Sequence, residues 1–188
     1  MTSKSSIKNL LNLSIPIFFA NLAIPLVGIV DTGLMGNLDD PSFLTATSIS
    51  TSLFSMIFWS FGFLRMGTVG MIAQSYGSKN YNEVLNLFIR NVFFVIIISI
   101  SLILLQKYIL NISLKIFELS NDTQRHYEDY FKIRIYSSFG ELTIYVITGL
   151  FIGLQKTKIS SLVVGFFSIS NIILSLFFVL FLDLNVRG

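Results

Sequence analysis

The chain has 188 residues, of which 53% are hydrophobic and 12% charged, against about 25% charged in an ordinary soluble domain. With a mean hydropathy of +0.76 and 19 Phe, it is neither a water-soluble globule, a disordered chain nor a coiled coil; its solvent is lipid. Zero Cys and the single His126 exclude disulfides, zinc–thiolate, iron–sulfur and multi-His centres, and the scattered net charge of +3 excludes a nucleic-acid footprint.

A helix crosses a bilayer with about 20 apolar residues, so the gaps between charges predict the spans. Between Lys8 and Asp31 lie 22 uncharged residues, which predicts a first span at 10–35. It is too long for a signal-peptide core and no small-residue cleavage site follows it. Ser14-Ile15-Pro16 suits a helix start. Pro25 lacks the N–H that would serve the carbonyl of Asn21, so a bend is expected there. Between Asp40 and Arg65 lie 24 uncharged residues, giving a second span at 46–70. Gly77 to Asn80, with the amphipathic stretch Tyr81 to Arg90, reads as a linker along the cytoplasmic membrane surface.

The third span, at 90–110, fills the gap of 16 residues between Arg90 and Lys107 and is extended by Leu110 and Ile112. The fourth, at 129–154, has Lys132, Arg134 and Glu141 inside it. The fifth, at 159–182, fills the 24 residues between Lys158 and Asp183. The fold class is therefore all-α, a multi-pass membrane helical bundle. Asp183 to Gly188 reads as a loop, with the chain cut off before a sixth helix. Six basic residues (Lys4, Lys8, Lys79, Arg90, Lys156, Lys158) against Lys115 and Arg125 place the N-terminus in the cytoplasm. Counting Lys107, Lys132 and Arg134 with the latter narrows the difference to six against five.

Residues at i, i+3, i+4 and i+7 share a helix face, and four polar stripes result. The first span carries Ser14, Asn21, Gly28 and Asp31. The second carries Ser48, Ser52, Ser55, Trp59 and Gly62, small residues typical of helix packing in membranes. The fourth carries Arg134, Ser138, Glu141, Tyr145 and Thr148, and the fifth Ser161, Ser168, Asn171 and Ser175. The larger polar groups of these last two stripes point to a wet cavity. An ionisable residue inside a bilayer costs about 2.5–3.5 kcal/mol on insertion scales, which singles out Asp31 and Glu141. Asp31 also fits a place near the headgroups, and Glu141 an ion pair with Arg134. That Arg lies two turns away, about 10 Å along the axis, too far for contact without side-chain reach. A carboxyl taken out of water holds its proton more tightly; poised in a cavity, it can exchange a proton, or hold Na⁺ or an organic cation. No H-E-x-x-H, G-x-S-x-G or Walker loop is present, so the chain is read as no enzyme.

The stretch from Val30 to Asn80 carries V-D-T, then a G-x-L-D-x-P loop, F-L-R-M-x-T-x-G and A-Q-x-x-G-x-K-N. Phe131 to Arg134, Gly149 to Gln155 and Asn185 to Gly188 follow at matching spacing. In these marks the chain resembles the multidrug and toxic compound extrusion (MATE) family, its DinF-like branch. The resemblance implies a transporter of about twelve helices in two lobes, of which residues 1–188 would be an incomplete N-terminal lobe without its sixth helix and second lobe. It implies a cation-coupled antiporter in the inner (cytoplasmic) membrane, with no cofactor beyond H⁺ or Na⁺ as coupling ion. Organic cations or amphipathic compounds would be exported, and membrane lipid and a second lobe supplied by another chain would be the partners. Asp31 falls on the family's proton-coupling aspartate, favouring protons, and Pro16 on the proline where the first helix bends. Asn171 and Ser175 fall on an asparagine–aspartate pattern whose aspartate is missing here; Glu141 is expected to replace that carboxylate. Asn21, Tyr145, Thr148 and Trp59 are expected in the substrate cavity, and Pro16 and Pro25 at hinges. The alternatives are a flippase for lipid-linked precursors, which would need basic residues such as Arg65 and Arg134 in the cavity, and a non-transporting subunit or remnant.

Overall fold

Lipid offers no hydrogen bonds, so a chain rich in apolar residues must satisfy each backbone N–H and C=O within its own helix. The computed structural model describes residues 14–15, 18, 22, 26–37 and 41–182, and among these there are helices and no strand. They are α1 (Leu26–Gly36), α2 (Pro41–Ser60), α3 (Phe63–Gly77), α4 (Tyr81–Leu104), α5 (Gln106–Phe117), α6 (Asn121–Arg134), α7 (Ser138–Gly153) and α8 (Thr157–Leu176). A 3₁₀ turn, Ile135–Ser137, joins α6 to α7, and a π-turn, Phe177–Phe181, ends α8. Among the described residues, four stretches are long and apolar enough to cross a membrane: Pro41–Gly77, Tyr81–Leu104, Asn121–Gly153 and Thr157–Phe181. They overlap the second to fifth predicted spans. The first span lies largely outside the described residues, as do Pro16, Asn21 and Pro25.

The predicted surface linker is corrected. Tyr81 to Arg90 is the opening of α4 and is continuous with its membrane span. The Asn80 side chain caps that helix by accepting from the Glu83 N–H at 3.1 Å, with Glu83 in the third position as in a capping box. Glu83 and Arg90 then pair at 3.6 Å along one face. The amphipathic charges belong to a helix that emerges from lipid, and the linker shrinks to Ser78–Asn80.

The turns after α3 and α7 are built alike. Asn80 N–H donates to the Ser75 carbonyl, and Lys156 N–H to the Phe151 carbonyl, the six-to-one bond of a Schellman ending. Lys79 (φ 59°) and Gln155 (φ 60°) occupy the left-handed position of each turn, where glycine is usual. Each turn folds the chain back into the next span.

The core gathers on one side of each helix. Phe54 of α2, Val95 of α4, Tyr127 and Phe131 of α6, and Leu142 and Val146 of α7 are all buried in one cluster. Helices α3 and α7 approach through glycines: a Cβ at Gly149 would sit 2.8 Å from the Thr68 Cβ, and one at Gly153 2.8 Å from Ile72. Small residues four apart allow this approach. Thr68 donates to the Leu64 carbonyl and accepts from Asn91 Nδ2 at 2.9 Å, tying α3 to α4.

Candidate functional site

Asp31 lies in the described part of α1, half-buried. The Ser175 side chain at the end of α8 lies beside its carboxylate, and Arg134 of α6 is near enough to attract it. The fixing contact is one turn further along both helices. Met35 and Val179 are both buried against each other, and Val179 is in the π-turn that follows Ser175. The polar stripes of the first, fourth and fifth spans thus meet at Asp31.

Arg134 also reaches Glu141. Its Nη2 donates to Glu141 Oε1 at 3.1 Å, with side-chain exposures of 30% and 36%. The axial separation expected to keep these residues apart is bridged by the lengths of the two side chains. Arg134 Nε is buried without a partner. Tyr145, half-buried one turn beyond Glu141, feels both Glu141 and Arg65. Glu141 therefore sits in an ion pair, and its link to Asp31 runs through Arg134.

A cleft of about 470 Å³ opens beside Asp31 between α1 and α2, within the size range of small-molecule pockets. Gly28, Ile29 and Thr32 line it from α1, and Leu44 with four hydroxyl residues, Thr47, Ser48, Thr51 and Ser52, from α2. The stripe read from sequence as packing is thus a cleft wall in its first half. The sequence reading missed Thr47 and Thr51, whose i, i+4 spacing puts them beside Ser48 and Ser52 on the same turns. In its second half the stripe leaves the site: Trp59 is 83% exposed at the far end of α2 and does not line the cleft. Thr148 is 2% exposed and donates to the Ile144 and Tyr145 carbonyls of its own helix, so it serves the packing of α7. Asn171 is exposed on α8 one turn before Ser175.

The MatE family model matches residues 16–177. The chain belongs to the MatE family. It is 32% identical over 186 residues to the DNA damage-inducible protein F of Escherichia coli strain K12, a match covering 98% of this chain and 40% of that protein. Among solved structures, a MATE protein in complex with MaD3S superposes with a TM-score of 0.87 at 19% identity, over 96% of this chain and 40% of that one. An outward-facing multidrug resistance MATE transporter of the MOP superfamily superposes at 0.85 and 20%, with the same coverage. So does a MOP superfamily transporter from Pyrococcus furiosus, described as having a binding pocket of reversed polarity. These likenesses show the shared fold, a multi-helix membrane bundle. The chain spans about 40% of the length of the relatives it matches.

Proposed function

We propose that this chain supplies the cation-coupling lobe of a MATE antiporter, with Asp31 as the group that exchanges a proton for cargo. The observation that carries this reading is the meeting of Asp31, Ser175 and Arg134 from three helices beside an open cleft. Alternating access in such transporters places the site between moving elements near the membrane midplane. Asp31 and Glu141 carry two negative charges and Arg134 one positive. With both carboxyls ionised, one negative charge is left over, which suits the exchange of one proton or one monovalent cation. Ser175 cannot carry charge; Glu141 provides the second carboxylate, acting on Asp31 through the shared guanidinium. Cargo would be an organic cation or amphipathic compound, and the remaining part of the transporter would come from a second lobe.

Arg134 weighs against the flippase alternative. A pyrophosphate headgroup needs free positive charge in the cavity, and this guanidinium is already held by Glu141. A chimaera in which this chain replaces the matching stretch of the E. coli relative tests the proposal in proteoliposomes with an imposed pH gradient. Proton-driven efflux of an organic cation is expected, falling to background in Asp31→Asn. Undiminished, still pH-driven efflux in that variant would refute the assignment.

A further inference from the structure

The cleft beside Asp31 offers hydrogen-bond acceptors in excess of donors. Thr32 Oγ1 donates to the Gly28 carbonyl at 2.7 Å, and Ser52 Oγ to the Ser48 carbonyl at 2.9 Å. A hydroxyl has one hydrogen and two lone pairs, so these two residues face the cleft as acceptors only. Thr51 Oγ1 shares a bond of 3.5 Å with the Tyr130 hydroxyl. The Asp31 carboxylate adds roughly four lone-pair sites to the lining of the cleft.

Thr47 is the second, independent observation. It is 6% exposed, and its Oγ1 is buried with no partner. Ser50, Ser99 and Ser138 are likewise buried hydroxyls without partners, but of the four it is Thr47 that lines the cleft. A buried polar group left unpaired costs about 1–3 kcal/mol, a cost that a ligand bringing a partner would remove.

We propose that this cleft selects cations that carry N–H groups, primary or secondary ammonium ions, over quaternary cations of the same body and charge. The inference rests on the reading of the chain as a cation-binding lobe and narrows its cargo. An ammonium ion presents two or three N–H donors to Asp31, Thr47 and the acceptor hydroxyls, and each such bond to a charged group is stronger than a neutral one. A quaternary ion presents methyl groups instead. Proteins hold quaternary ions against aromatic faces, and the described residues that line this cleft include no aromatic ring. The nearby Arg134 attracts Asp31 and repels a primary and a quaternary cation alike, so it lowers affinity without altering the preference; its Nη2 donates to Glu141.

The test uses the whole chain in lipid nanodiscs, titrated by calorimetry with cyclohexylammonium and with cyclohexyltrimethylammonium, which share body and charge. The primary ammonium is expected to bind about tenfold more tightly, the factor that one charge-assisted hydrogen bond supplies. Thr47→Val keeps the side-chain shape and removes the unpaired hydroxyl. It is expected to raise the melting temperature while cutting the preference for the primary ion, a pairing of effects that a merely structural residue would not give. Thr51→Val, at an exposed position, reads the same loss of preference without touching the core. Equal or tighter binding of the quaternary ion, or a preference unchanged in both variants, overturns the inference and leaves the cation-binding reading standing. Failure of both ions to bind, or binding of both that ignores Asp31→Asn, overturns that reading and the inference with it.

Discussion

Arg134 is the residue on which the charge balance of the site turns. Its guanidinium pairs with a carboxylate two turns along its own chain and lies near enough to attract a second one on α1. Removing a partner from a fully buried ion pair costs about 3–5 kcal/mol, because the remaining charge is stranded. Here both side chains are about a third exposed, so Glu141→Gln should cost less, roughly 1–3 kcal/mol. Arg134→Gln with Glu141→Gln should recover part of the loss, since neither charge is then stranded. Thermal unfolding of the four proteins in one detergent gives the coupling directly, and strictly additive losses would show that the pair contributes nothing. This pair was legible as two residues on one stripe but not as a contact. Axial rise counts backbone distance, whereas a long Arg and a Glu leaning toward each other close two turns. Asp31 and Ser175 were legible as polar residues on the stripes of the first and fifth spans. Thr47 was not, because a hydroxyl within an apolar run carries no signal until the neighbouring helix leaves it without a partner.

At the scale of elements, the charge gaps of the second to fifth spans fall on the four long apolar stretches but misplace their ends. Arg90 lies inside α4 and Lys107 inside α5, so a charge that ends an apolar gap does not end a helix. The second span is predicted at 46–70, whereas the apolar stretch Pro41–Gly77 is 37 residues long and consists of two helices, α2 and α3, with a turn at Phe61–Gly62 between them. Proline at the first position of α2 and the Asn80 cap before α4 set these ends, and both are local signals that hydropathy overlooks. The join between α3 and α7 depends on the smallness of single residues. A methyl at Gly149 would press on Thr68 Cβ and on the Arg65 carbonyl at 3.0 Å, a backbone atom that cannot turn aside. Gly149→Ala is therefore expected to destabilise by about 1–3 kcal/mol, the usual cost of overpacking. Gly165→Ala on α8, whose added methyl meets nothing within 4 Å, should be neutral or slightly stabilising, as glycine is a poor helix former. Melting both variants beside the parent separates the two cases; equal shifts would mean that the close α3–α7 approach does not contribute to stability.

The whole molecule is asymmetric in what it covers. Phe166, Ile169, Ile173 and Phe181 stand exposed along the last span, an apolar face in keeping with lipid as solvent. The two Schellman turns at Lys79 and Gln155 each reverse the chain between spans, and two crossings, Tyr81–Leu104 and Asn121–Gly153, lie between them. Two crossings return a chain to its starting side, so both turns must face the same compartment, with the α5–α6 connection facing the other. The bias of basic residues toward cytoplasmic loops predicts, from Lys79, Lys156 and Lys158, that the shared side is the cytoplasm. With no native cysteine, this arrangement can be read from single substitutions. Ser78→Cys and Lys156→Cys should be shielded from an impermeant maleimide in intact cells and react once the membrane is opened. Asn121→Cys, exposed at the start of α6, should react in intact cells. If the first two positions label from opposite sides, one of the two crossings is not a span and the lobe arrangement fails. If all three labels are exchanged, the crossings stand and the orientation inverts, and the cleft beside Asp31 would then have to be approached from the opposite compartment.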